Sequence, residues 1–119
     1  MDNNSQTIDF TSLFIVANND KEFINELIGI FLDQIPDFIK NLNQLFKESN
    51  FEKLGREAHT AKSSVMIFGM TNTGILLNKI EQWAEHKNID EIGPALKIVE
   101  KDLDLAKNEL IDALKTEKF

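Results

Sequence analysis

Apolar residues return at helical spacing through every long segment of this chain, and no segment alternates apolar and polar residues as a half-buried strand would. A chain patterned this way can bury its apolar stripes only by packing helix against helix. The longest stripe comprises Phe23, Leu27, Ile30, Phe31, Ile35, Phe38, Leu42 and Leu45, on a helix expected to open at Asp20. Pro36 falls inside it. Proline lacks the amide that would bond to the carbonyl of Leu32, so a kink is expected there and no separate helix.

Around this stripe the other elements follow from their stop and start signals. A short helix is expected from about Thr11 to Val16, with Asp9 or Thr11 as N-cap and the Asn18-Asn19 pair as its stop. A third helix, from about Phe51 to Phe68, carries Phe51, Leu54, Ala58, Ala61, Val65 and Phe68 toward the core. Its small residues, Ala58 and Ala61, let a neighbouring helix come close at mid-height. Gly69 breaks the chain, and Thr71, Asn72 or Thr73 is expected to cap a fourth helix reaching about Lys87, with Leu76, Leu77, Ile80, Trp83 and Ala84 facing inward. Pro94, a favoured first-turn residue after Gly93, marks the expected start of a last helix to about Leu114 on Leu96, Val99, Leu103, Ala106, Leu110 and Ala113. The expected architecture is all-α: a single domain over residues 1–119, an up-and-down four-helix bundle with a short extra N-terminal helix across one end and a flexible lead of residues 1–8.

Composition narrows the class of function. A chain of 119 residues with 42% hydrophobic content and nine Phe builds one core and has no room for a second domain. There is no Cys, hence neither a disulfide framework nor a thiolate metal site. A net charge of -7 repels nucleic acid phosphates and anionic lipid headgroups, so neither nucleic acid nor membrane is an expected partner. The opening MDNNSQT has no basic and apolar leader pattern, and no later run is long enough to span a bilayer. The expectation is a soluble, cytoplasmic monomer. An initiator Met and a charged C-terminus favour a free-standing protein over a module of a larger kinase.

One histidine stands out by its surroundings. His59 lies beside the core stripe of the third helix, and Arg56, Lys62, Ser63 and Met66 fall at -3, +3, +4 and +7 from it, on one helical face. Its base would be anchored while its ring tip reaches solvent. In a helical hairpin, residues equidistant from the turn end up side by side. His59 and Glu81 share residue 70 as midpoint, so the Glu81 carboxylate should accept a hydrogen bond from the imidazole Nδ1–H and leave the Nε2 lone pair outward as a nucleophile. Lys62 could then stabilise charge on a phosphoryl group. Taken singly, each residue has a plainer account: Lys62 as surface charge, Glu81 as a partner of Lys79 or Lys62, Gly69 as a helix stop. Only the shared geometry is specific.

The run Ala58-His59-Thr60-Ala61-Lys62-Ser63-Ser64-Val65-Met66-Ile67-Phe68-Gly69 resembles the signature of histidine-containing phosphotransfer (HPt) domains, in which the phosphorylated histidine is followed by lysine at +3, small residues at +4 and +5, and glycine at +10. The likeness extends over the lead-in from Ile8 to Phe38 and the segment from Leu76 to Glu81, with Glu81 at the helper position. It implies a phosphorelay intermediate: His59 takes a phosphoryl group from a receiver-domain aspartyl phosphate and passes it to another receiver aspartate. Lys62 and Glu81 would assist, and Arg56, Ser63, Ser64, Met66 and Gly69 would shape the receiver contact. The implied partners are response-regulator receiver domains, including those of hybrid histidine kinases. The receiver would bring its own aspartate and metal ion, so no cofactor is expected on this chain. Ser63 replaces the glycine most common at +4, and Ala61 a larger aliphatic at +2.

Other site classes find no support. A di-iron bundle needs Glu-x-x-His pairs, and none occurs. An ATP-dependent kinase needs a glycine loop cradling phosphate, and the five glycines are scattered. His86 reads as a surface residue suited to a helix C-terminus, and Trp83 and most Phe as core. Phe14 could instead join Met66 in an exposed docking patch. The alternative from a different class is a non-phosphorylated helical adaptor that binds a receiver or another signalling partner and transfers nothing.

Overall fold

The computed structural model describes residues 7–116 as five helices: α1 (Phe10–Val16), α2 (Lys21–Lys47), α3 (Phe51–Ile67), α4 (Thr71–His86) and α5 (Ile89–Lys115). The long helices form an antiparallel ring in which α2 packs on α3 and α5, and α4 packs on the same two. The α1 helix touches α3 at the end of the bundle where α3 turns into α4. Among the described residues no helix is long and apolar enough to cross a membrane.

The helix starts follow the expected capping chemistry at three of five ends. Asp9 accepts from the amides of Thr11 and Ser12, Asp20 from that of Phe23, and Asn50 from that of Lys53. Asn18 and Asn19 both adopt left-handed backbone and end α1, as their pairing suggested. The α2 helix runs without interruption through Pro36.

Two starts differ from expectation. The N-cap of α4 is Met70, which has no capping side chain; Thr71 is the first helical residue, and Thr73 is buried with its hydroxyl donating to Asp102 at 2.8 Å. The α5 helix opens at Ile89, five residues before Pro94 (N-cap Asn88), so Pro94 lies inside it. At that depth proline forfeits only the bond to the carbonyl of Asp90, the exposed second residue of the helix. The gain is Ile92, fully buried one turn below Leu96. Gly93 is within the helix, against the ring of Phe46.

The core is the set of stripes expected, with one rotation. In α2 the buried residues are Ile24, Ile28, Phe31, Ile35, Phe38 and Leu42, while Phe23 and Ile30 are exposed and Leu27 and Leu45 half-buried. Ile24 and Ile28 continue the alternating three- and four-residue steps of the lower stripe. Phe23, Leu27 and Ile30 sit about 100° round the helix from them. The expected inward residues of α5 are all buried, as are those of α3 apart from half-buried Phe51. Phe68 stacks on Phe31 with ring centroids 4.4 Å apart. In α4, Leu77, Ile80 and Ala84 are buried, and Leu76 and Trp83 half-buried.

The expected flexible lead of residues 1–8 falls largely outside the described residues. Its last two are tied down: the Glu109 carboxylate on α5 accepts from the amides of Thr7 and Ile8 at 2.7–2.9 Å, and the Ile8 side chain is buried. Just beyond, the Asp9 amide donates to the Phe68 carbonyl, which fixes the entry to α1 against the α3–α4 turn.

Candidate functional site

The site is built on the α3–α4 hairpin. Leu54, Ala58, Ala61 and Val65 hold α3 to the core with no exposed surface. Because Ala58 and Ala61 carry only methyl groups, the neighbouring helices approach closely. Gly55 adds to this on the α4 side, where a β-carbon would stand 3.7 Å from the carbonyl oxygen of Glu81. The adjacent face of α3 is thereby held at a fixed height over α4, with Arg56, His59, Lys62, Ser63 and Met66 along it.

His59 is anchored at its base and open at its tip. Its side chain is 58% exposed, and its Nδ1 lies 3.2 Å from Glu81 Oε1. A carboxylate only accepts, so the contact requires the proton on Nδ1, and in the neutral ring Nε2 then keeps its lone pair. The expected level pairing across the turn is therefore present. Lys62, 27% exposed, places Nζ 3.9 Å from the same Oε1 and donates to Asn78 Oδ1 at 3.1 Å. One carboxylate oxygen thus faces an imidazole N–H and an ammonium together. The arrangement is an exposed imidazole with a carboxylate against its Nδ1 and an ammonium beside that same carboxylate.

The remaining predicted residues divide. Arg56 is exposed and pairs with Glu52 at 3.7 Å, a solvated contact of little energetic weight. Ser63 is exposed, with its hydroxyl turned back to the His59 carbonyl at 3.3 Å. Met66 is exposed on the same face, its sulfur lying over Gly74. Ser64 is directed elsewhere: half-buried, it donates to Gln34 Oε1 at 3.0 Å and ties α3 to α2. Gly69 is not beside His59 at all. It sits in the α3–α4 turn at φ +68°, half-buried under Asp9 and Ser12, where a β-carbon would come within 2.4 Å of the β-carbon of Asp9. Ser64 thus faces a neighbouring helix, and Gly69 lies beneath α1.

Phe14 is half-buried against the core; the exposed apolar residues of the first two helices are Ile15, Val16, Phe23 and Ile30. His86 is exposed in the last turn of α4, as expected. Sequence reasoning passed over Asn78 and Gly74. Both were reachable by the construction that paired His59 with Glu81, since Lys62 with Asn78 and Met66 with Gly74 share the same midpoint, Met70.

Comparison with known proteins agrees with this geometry. The chain superposes on the crystal structure of the HPT domain from an Hpt sensor hybrid histidine kinase of Shewanella with a TM-score of 0.81, covering 92% of this chain and 95% of that one at 14% identity, which establishes the shared helical fold. It is 24% identical over 81 residues to the phosphorelay intermediate protein YPD1 of Candida albicans, a stretch of 68% of this chain and 44% of that protein's length. The family model for the Hpt domain matches residues 26–116, a span holding α3, α4 and every residue of the His59 site. With helical order, pairing register and family match in agreement, this chain belongs to the Hpt domain family.

Proposed function

We propose that this chain is a phosphorelay intermediate of two-component signalling that carries a phosphoryl group on His59 between receiver domains. The observation that carries the reading is the 3.2 Å contact from His59 Nδ1 to Glu81 beneath a side chain 58% exposed. It supports a ring held in one tautomer with its free nitrogen toward an incoming partner. The name of the Candida relative and the family match support the same role.

In the transfer, the Nε2 lone pair forms a bond to phosphorus while the bond from phosphorus to the receiver's aspartate oxygen breaks, returning the electron pair to that carboxylate. The ring gains positive charge as it donates, and Glu81, already accepting from Nδ1–H, stabilises that charge. The Lys62 ammonium, 3.9 Å from Glu81 Oε1, is the cation nearest this pair and would swing from Asn78 to meet the charge on the phosphoryl oxygens. In the reverse step a second receiver's aspartate takes the phosphoryl group and the ring returns to neutrality. This chain is substrate and product in turn; the receiver contributes the acceptor carboxylate and its own metal ion.

The test is intact mass in mildly alkaline buffer after incubation with phosphorylated receiver domains. The wild type is expected to gain one acid-labile phosphoryl group and His59→Gln none. Equal uptake by both would overturn the assignment of His59, and binding without uptake by either would favour an adaptor.

A further inference from the structure

We propose that Asn78 is a positioning residue for the phosphotransfer site, holding the Lys62 ammonium in the α3–α4 groove so that Glu81 Oε1 stays available to His59. The proposal rests on the phosphocarrier reading of His59. The His59–Glu81, Lys62–Asn78 and Met66–Gly74 pairs share Met70 as midpoint, so they form successive rungs of one antiparallel ladder. In the middle rung, Lys62 Nζ donates to Asn78 Oδ1 at 3.1 Å and stops 3.9 Å short of Glu81 Oε1. An ammonium has only donors, so the Asn78 amide must present its oxygen to it.

The physical issue is competition for one oxygen. Glu81 Oε1 is the acceptor of the His59 Nδ1–H and the nearest anionic atom to Lys62. An ammonium in full contact would turn that oxygen toward the lysine and away from the imidazole Nδ1–H it accepts from. The ring could then revert toward the Nε2–H tautomer, which has no nucleophilic nitrogen at its exposed tip. Asn78 removes the conflict by offering a second acceptor one helical turn before Glu81. Because that acceptor is a neutral amide, it holds the lysine without cancelling its charge and releases it more readily than a carboxylate would.

Two substitutions separate this role from simple helix packing. Asn78→Ala removes the holding point, so Lys62 closes on Glu81 and His59 shifts toward Nε2–H. Asn78→Asp holds Lys62 more tightly, leaves Glu81 to His59 and preserves the Nδ1–H tautomer. The measurement is the ¹⁵N imidazole spectrum of the full chain in mildly alkaline buffer, with His59 assigned through His59→Gln. Phosphoryl uptake is expected to slow about tenfold in both variants, in the range of one hydrogen bond. The two slow for different reasons: a displaced proton in the first, a sequestered cation in the second. In a Lys62→Met background either change at Asn78 should alter uptake less than about twofold, since its effect passes through the lysine. Should the alanine variant not fold, the near-isosteric Asn78→Asp carries the test through its uptake in the two backgrounds. The proposal fails if Asn78→Ala leaves the His59 nitrogens as in the wild type, or if the effects persist without Lys62. If wild type takes up no phosphoryl group, the carrier reading falls, and the tautomer spectra still decide what Asn78 does.

Discussion

The sulfur of Met66 occupies the space that a β-carbon on Gly74 would fill, at 2.4 Å from its ideal position. The glycine therefore sets the height at which this methionine rests on the face that carries His59. A Gly74→Ala substitution should push the flexible thioether outward while leaving the bundle intact, because a helical alanine regains about 1 kcal/mol of the stability that the shifted contact loses. The expected result is a displaced Met66 methyl resonance with a change in unfolding free energy smaller than about 1 kcal/mol. An unmoved methyl resonance would show that α4 gives way instead of the side chain.

Glu81 is expected to act on His59 chiefly as a hydrogen-bond acceptor. Glu81→Gln keeps an oxygen for Nδ1–H and should retain most of the initial rate of phosphoryl uptake, whereas Glu81→Ala should lose about tenfold. Rapid-quench transfer from a phosphorylated receiver separates the two. Equal losses would mean that the charge of the carboxylate matters more than the tautomer it fixes.

Two glycines of the same helical hairpin should respond to alanine in opposite directions. At Gly55 a β-carbon finds ordinary contact distances, 3.7 Å to the Glu81 carbonyl and 3.8 Å to Ala84, and Gly55→Ala should raise stability by about 0.5–1 kcal/mol. Gly69→Ala meets both a positive φ and the backbone-bound β-carbon of Asp9, and should cost about 2 kcal/mol or more. Urea denaturation of both variants provides the comparison.

The Glu109 carboxylate should be what holds the start of the described chain on α5. In Glu109→Ala the amides of Thr7 and Ile8 lose their acceptor, and about 1–3 kcal/mol of stability goes with them. Hydrogen exchange is expected to accelerate at those two amides most, with the core amides of α3 and α4 changed only as far as global stability falls.

Most of this was legible from spacing alone. Stripes such as Leu96, Val99, Leu103, Ala106 and Leu110 admit one helical face, and the Asn18-Asn19 stop and the Asp20 cap carry their own local chemistry. The misreadings arose where two local signals competed. Gly93-Pro94 looked like a helix start, yet Asn88 at the cap position and Asp90 and Glu91 in the first turn were the stronger signature, and burying Ile92 settles the choice. In α2, two apolar stripes diverge above Phe31, and which one faces the core depends on partners that the helix itself does not encode. Within the site, the level pairing of His59 with Glu81 followed from counting residues about the turn. The surroundings of Ser64 and Gly69 did not, because their neighbours Gln34 and Asp9 come from distant parts of the chain.

The rungs across the α3–α4 hairpin make this site a matter of phase. A single residue taken into the first turn of α4, with the connection to α3 held as it is, would leave every side chain of α3 and α4 unchanged in kind, yet rotate the rest of α4 by about 100° and slide it by about 1.5 Å relative to α3. Glu81 would turn away from His59, Asn78 from Lys62 and Gly74 from Met66, all at once. The phase of α4 against α3 is therefore as much a part of the proposed site as the histidine, although the residues that set it do not touch the imidazole.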